Sequence, residues 1–178
     1  MKIFFDTEFT GLHQKTSLIS IGLISDNGST FYAEFNDYDK SQVDDWISNN
    51  VIKNLDYNDS LELFLEKGHN IFMKDNTKVI ALELEKWLKQ FDNIKMWSDC
   101  LAYDWVLFNQ IFGHAFKIPK NVFYIPFDIS TLFEIKSIDP DINREVFCNQ
   151  NSNKTQKHNS LWDAKVIKMC YDKLLIDN

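Results

Sequence analysis

The chain is short of three things, and each shortage excludes something. It has only three cysteines in 178 residues: Cys100, Cys148 and Cys170. They are odd in number and widely separated, which fits neither a disulfide framework nor a zinc spacing, and they read as buried or incidental thiols. No apolar run approaches the roughly 18 residues needed to span a bilayer, so a membrane segment is not expected. No basic-then-apolar stretch opens the chain, because acidic residues begin at Asp6; the expected location is the cytoplasm. Basic charge is scarce as well. Nineteen lysines and arginines against 26 aspartates and glutamates leave a net charge of −7. That balance argues against a broad basic footprint on a duplex. It leaves room for a small site in which carboxylates hold cations and the cations reverse the local sign.

What is present is enough for one domain with a proper core. Hydrophobic residues make up 44% of the 178, which marks a globular chain. No internal repeat or linker divides it, so residues 1–178 read as a single domain. Lys2–Glu8, Ser17–Ser25 and Thr30–Phe35 are predicted strands, the last two joined by the turn signal Asp26-Asn27-Gly28. Asp44–Asn54 and Asn76–Phe91 are predicted helices, the second with Val79, Leu82, Leu84 and Leu88 near helical spacing. Ile94–Ser98 is a strand feeding a helix from Leu101 to Phe112, which stops at Gly113. Val122–Ile125 reads as a short strand, Asp139–Lys157 as a polar loop and Ser160–Leu175 as the last helix. The order predicts an α/β fold: a mixed sheet whose first three strands are antiparallel and later ones parallel, flanked by helices.

The carboxylates stand out against this pattern. Side chains alternate along a strand, so Asp6 and Glu8 share a face with Phe4, while Phe5, Thr7 and Phe9 take the other. The pair could meet a common cation; taken alone, it also fits ordinary charges on a strand edge. Asp104 lies three residues after Leu101 and four before Phe108, on the apolar stripe of its helix. A carboxylate there needs a partner or a metal. Asp163 lies one turn before Ile167 on the inward face of the last helix, where favourable charge near a helix N-terminus is the ordinary alternative. His158 is about 500° of helix away from Asp163, so it belongs on the loop entering that helix, where it could swing over a carboxylate site. A histidine titrating near neutrality suits a general base. His13, His69 and His114 read as surface residues.

At this point the motifs resemble those of the DEDD 3′–5′ exonuclease superfamily, which has a ribonuclease H-like fold. Asp6-Thr7-Glu8 matches its first motif, Tyr103-Asp104 its second and His158 to Asp163 its third. The sister branch places tyrosine four residues before the last aspartate. Asn159 stands there, so the chain goes with the histidine branch. Phe9 after the first motif, and Trp97-Ser98-Asp99 before the second, are similar to the small stand-alone exoribonuclease group that includes a mycobacterial member. Where polymerase-proofreading relatives have a His-Asn pair, this chain has Asp99 and Cys100. Asp99 reads better as a helix N-cap than as an accessory acid.

The resemblance implies a metal-dependent 3′–5′ exonuclease acting on single-stranded RNA or DNA 3′ ends, RNA favoured, that releases nucleoside 5′-monophosphates. It implies two Mg²⁺ or Mn²⁺ ions held by Asp6, Glu8, Asp104 and Asp163, with His158 activating water. Phe9, Thr10 and Leu12 are the implied contacts to the terminal nucleotide, with Leu12 wedging between bases. Trp105 and Phe108 could stack on a base, core packing being their alternative. A homodimer is expected by analogy. The competing readings are an oligoribonuclease on very short RNA, suggested by the stretch DTEFTGL, and a catalytically silent nucleic-acid-binding module.

Overall fold

The computed structural model describes residues 1–150 and 157–176. Strands β1 (Lys2–Phe9), β2 (Leu18–Ser25) and β3 (Thr30–Phe35) form the expected antiparallel meander. Helix α1 (Asp45–Asn50) is capped by Asp44 through the Ile47 N–H. It is shorter than expected: a 3₁₀ turn follows at Ile52–Asn54. Asparagine side chains here bond nearby carbonyls, Asn50 to Trp46 and Asn54 to Asn50, which competes with regular helix.

A hairpin that the sequence reading lacked comes next, β4 (Leu63–Lys67) and β5 (Asn70–Asp75), turning at Gly68 with φ +62°. It is hard to see in sequence because β4 is an edge strand with little burial and no clean alternation. Helix α2 (Thr77–Leu88) is capped by Asn76 and buries Ile80, Leu84, Trp87 and Leu88; Leu82, counted in the expected stripe, is exposed. Strand β6 (Lys95–Ser98), helix α3 (Ala102–Ile111), strand β7 (Phe127–Asp128) and helix α4 (Ile129–Ile135) follow. The strand expected at Val122–Ile125 reduces to one bridge, Ile94 to Val122. Pro126 follows, cannot donate to a ladder, and pairing resumes as β7. Helix α5 (Arg144–Phe147) lies inside the expected Asp139–Lys157 loop, whose residues 151–156 fall outside the described residues. Helix α6 (Ser160–Ile176) closes the fold.

The sheet order is β4-β5-β3-β2-β1-β6-β7. It is mixed, as expected, with one addition. The parallel β3–β5 pair and the antiparallel β4–β5 hairpin extend the meander on one side, and parallel β1–β6 and β6–β7 pairs extend it on the other. Both faces are covered. Ile3, Phe5, Ile21, Leu23 and Phe31 pack with α2 and α3, while Phe4 packs with Ile129, Phe133, Ile167 and Leu174 of α4 and α6. Each fully buried large side chain contributes roughly 1.5–3 kcal/mol relative to exposure, so β1 is fixed from both sides. No described helix is long and apolar enough to cross a membrane.

Candidate active site

Because Phe4 faces α6, strand alternation carries Asp6 and Glu8 toward the same helix. What brings α6 close is a gap in the neighbouring strand. Gly22 pairs with Asp6 across β1–β2. A Cβ on Gly22 would lie 2.3–2.4 Å from backbone atoms of Ser160 and Leu161. Beside it the Ser20 and Ser160 hydroxyls meet at 3.0 Å. The first turn of α6 therefore sits directly on bare backbone. Asn159 caps this turn, accepting from the Trp162 N–H at 3.1 Å, and Asp163 is set over the strand pair.

Among the described residues, Asp6, Glu8 and Asp163 each offer a carboxylate oxygen, and these oxygens all lie within 4.8 Å of one another. The donor set is hard, anionic and close, and it fits a divalent cation. Asp104 is buried on α3, as its place in the apolar stripe predicts, yet it stands outside this group. One of its oxygens accepts from the Thr7 N–H at 3.1 Å and from the Thr7 hydroxyl; the other accepts from Ser98 at 3.0 Å. The β1–β6 ladder ends at Phe4–Trp97, and Asp104 satisfies Thr7 where the strands part. The cap expected at Asp99 is not made: the residue at the N-cap of α3 is Leu101. Asp99 instead receives Arg144 on both oxygens, at 2.7 and 2.9 Å.

Burial is the first cause of the unusual acidity here. It pushes the Glu8 carboxyl up to about 8, with Asp163 and Asp104 adding like charge. Asp163 is pushed up to about 7 by burial and then by Glu145. Asp104 rises to about 6 through burial, against hydrogen bonds from Thr7 and Ser98 that favour its charge. Asp6 is raised well above the usual carboxylate range by burial and then by Asp104, Asp163 and Glu8. These groups keep protons in the metal-free folded state that the unfolded chain has released. Stability is then full below the unfolded values near 4 and falls as pH rises through about 6–8. Melting in a chelator is therefore expected to show a lower midpoint at pH 8.5 than at pH 5.5, and a divalent cation should restore much of the loss. A flat metal-free profile across that window would contradict the clustering.

His158 occupies the loop entering α6, with a left-handed φ of +63°. Its Nδ1 is 4.0 Å from Glu8, and its ring stands edge-on to Trp46 at 5.2 Å between centroids. Partial burial, then Lys157, lower its pKa below 6.5, while Glu145 opposes the shift. The neutral imidazole can thus accept a proton near pH 7. The Asn54 amide anchors the loop, donating to the Lys157 carbonyl at 2.7 Å. Asp6, Asp163 and His158 line a cleft of about 370 Å³ with Arg144 and Glu145.

The expected substrate contacts divide. Leu12 is 78% exposed, just after Gly11, and free to touch a ligand. Phe9 is half-buried and stacked on Tyr103 at 5.4 Å. Thr10 is only 2% exposed, and its hydroxyl is engaged by Thr16, Ser17 and Gln42. It closes its own loop and is not a direct contact. Phe108 is fully buried in the core with Phe5 and Phe112, so it cannot reach a base. Trp105 stacks on Phe108 at 5.3 Å and packs against that core while staying partly exposed.

Other residues at the site were not anticipated. Trp46, 55% exposed, leads from His158 into a groove of about 720 Å³ lined by Asn50, Asn54 and Glu145. Glu145 lies against α6, accepting from Trp162 Nε1 at 2.9 Å. Arg144, the one arginine of the chain, also donates to the Pro140 and Ile142 carbonyls. Gly22 had a readable signal, an isolated glycine inside an apolar strand. Glu145 had none.

The chain is similar to several known proteins. A family model described as the 3′–5′ exoribonuclease Rv2179c-like domain matches residues 1–175. Two curated relatives from Mycobacterium tuberculosis strains, the 3′–5′ exoribonucleases Rv2179c and MT2234.1, are each 29% identical over 124 residues, covering 68% of this chain and 67% of theirs. The solved RNase domain of the yeast Pop2 protein aligns over 98% of this chain and 77% of its own, with a TM-score of 0.58 and 11% identity. That likeness is one of fold, and it agrees with the ribonuclease H-like mixed sheet.

Proposed function

This chain belongs to the Rv2179c-like 3′–5′ exoribonuclease domain family, and on that footing we propose that its cleft hydrolyses single-stranded RNA stepwise from the 3′ end, releasing nucleoside 5′-monophosphates. The observation that carries the reading is the convergence of Asp6, Glu8 and Asp163 within 4.8 Å, with His158 4.0 Å from Glu8. The reading is of the histidine-branch, two-ion type. Asp6, Glu8 and Asp163 would hold Mg²⁺ or Mn²⁺, and Asp104, whose charge acts on Asp6, is the residue that would serve a second ion. When bound, such cations supply the positive charge that relieves the attacking and leaving oxygens of the phosphodiester. The chain's own groups do the rest. His158 takes a proton from the attacking water at its free imidazole nitrogen. Glu145, which acts to raise the imidazole's pKa, favours the charged form it becomes. Trp46, exposed beside His158, and Leu12, exposed just after β1, would bear on the terminal bases, and the groove beyond Trp46 would receive the strand. One domain over 1–178, a cytoplasmic location and pairing as a homodimer belong to the same proposal.

The test is a 5′-labelled single-stranded RNA with Mg²⁺ or Mn²⁺. Shortening from the 3′ end is expected, with monophosphate product, and a chelator should stop it. RNA and DNA ends both left intact with either cation would overturn the reading. Within it, His158→Ala is expected to lower kcat by about 10²-fold or more. It should also erase the rise in rate with pH on the acidic side, read from kcat between pH 5 and 8. An unchanged acidic limb would remove His158 from the base role.

A further inference from the structure

The three cysteines look unrelated in sequence, yet the fold brings two of them together. Cys148 follows α5 and Cys170 lies on the inward face of α6, with their sulfurs 3.1 Å apart. Cys148 is half-buried, Cys170 is buried and Cys100 is exposed elsewhere. The approach is set by packing on both sides. The Cys170 thiol points to the Arg144 carbonyl at 3.5 Å. Lys173 of α6 donates to the Phe147 carbonyl at 2.6 Å and lies 4.5 Å over its ring. Glu145 is tied to Trp162. The two backbones are thus held while the sulfurs need to close by only about 1 Å to reach bonding distance.

The two thiols are unequal. The hydrogen bond shared with Cys170, with Lys173 and Arg144 adding to it against burial, lowers the pKa of Cys148. The same hydrogen bond and burial raise that of Cys170. The thiolate is the reactive form, which makes Cys148 the first to react and Cys170 the partner that keeps its proton.

We propose that Cys148 and Cys170 are an oxidation site, at which a hydroperoxide drives formation of an intramolecular disulfide tying α5 to α6. The Cys148 thiolate attacks the peroxide; the O–O bond breaks, a sulfenic acid forms, and the leaving oxygen takes a proton to depart as an alcohol or water. The Cys170 sulfur then loses its proton and attacks the sulfenic sulfur. The S–S bond forms, the S–O bond breaks and water leaves. Two thiols lose two electrons and the peroxide gains them. The closed ring contains His158 and Asp163, so the bond fixes both ends of the segment that carries the imidazole to the cleft. The inference stands apart from the nuclease reading, because its readout is thiol chemistry.

The test treats the reduced full-length protein with hydrogen peroxide and then with an alkylating agent, without reductant. Of the three cysteines, only Cys100 should still be alkylated, and digestion should yield a linked peptide pair joining Cys148 to Cys170. The thermal midpoint should rise by about 5–10 °C and fall back with dithiothreitol. Cys148→Ser and Cys170→Ser should each abolish the linked pair and the shift, while Cys100→Ser keeps both. Cys148 found as sulfinic or sulfonic acid beside an alkylated Cys170 would overturn the proposal. So would a disulfide joining two chains, or a midpoint that drops on cross-linking.

Discussion

Asp6→Asn is expected to reduce 3′-end trimming by about 10³-fold or more while leaving the fold intact. Asp6 is the carboxylate on which the others converge: Asp104, Asp163 and Glu8 all act on its charge after burial. Asparagine keeps its shape and removes that charge. In metal-free protein at pH 8 the variant should melt at or above the wild-type midpoint, because one of several repelling buried carboxylates is gone. The divalent cation that raises the wild-type midpoint should raise the variant's much less. Loss of activity, retained folding and a lost cation response together would assign Asp6 to the metal site. A variant that still trims RNA at a tenth of the wild-type rate would move the chemistry elsewhere.

The second large effect is expected at a residue with no side chain, directly opposite Asp6 on β2. Gly22→Ala adds a methyl where the nearest atoms, 2.3–2.4 Å away, are the Leu161 amide nitrogen and Cα and the Ser160 carbonyl carbon. These are backbone atoms in the first turn of a helix, so no rotamer change can make room. Helix α6 must lift from β2, taking Asp163 away from Asp6 and disturbing the entry loop of His158. Overpacking of this kind typically costs about 1–3 kcal/mol, and in a domain of this size that lowers the melting midpoint by about 2–4 °C per kcal/mol. The response to divalent cation should fall with it, since the third carboxylate no longer closes the group. Ser20→Ala, which removes only the 3.0 Å contact to Ser160, should cost about 1 kcal/mol and keep the cation response. A Gly22→Ala protein with a wild-type cation response would show that α6 is not positioned by this contact.

The positions of the candidate site residues were legible because each sits where local pattern speaks. Asp6 and Glu8 break an apolar strand, Asp104 interrupts a helical stripe, and His158 and Asp163 bracket a helix start. Alternation along β1 and the period of a helix are properties of neighbouring residues. The substrate contacts were read less well. Thr10 and Phe108 carry suitable side chains, but the decision lay with neighbours distant in sequence: Gln42 engages Thr10, and Phe5 packs on Phe108. Asp99 was misread for the same reason, since its partner Arg144 lies 45 residues away. Strand β4 and helix α5 escaped because short elements with no buried residue impose no period, and without β4 the hairpin was not seen.

The sequence alone therefore determined the side chains available, the mixed α/β class and the strand and helix that each candidate side chain rides on. All of these follow from interactions between residues close along the chain. Only the tertiary structure decided which carboxylates meet, that Asp104 turns aside to Thr7 and Ser98, that Gly22 lets α6 reach β1, and that Cys148 faces Cys170. Apart from Ser98, six residues from Asp104, the partners lie tens of residues apart, and the contacts are fixed by packing two helical layers against one sheet.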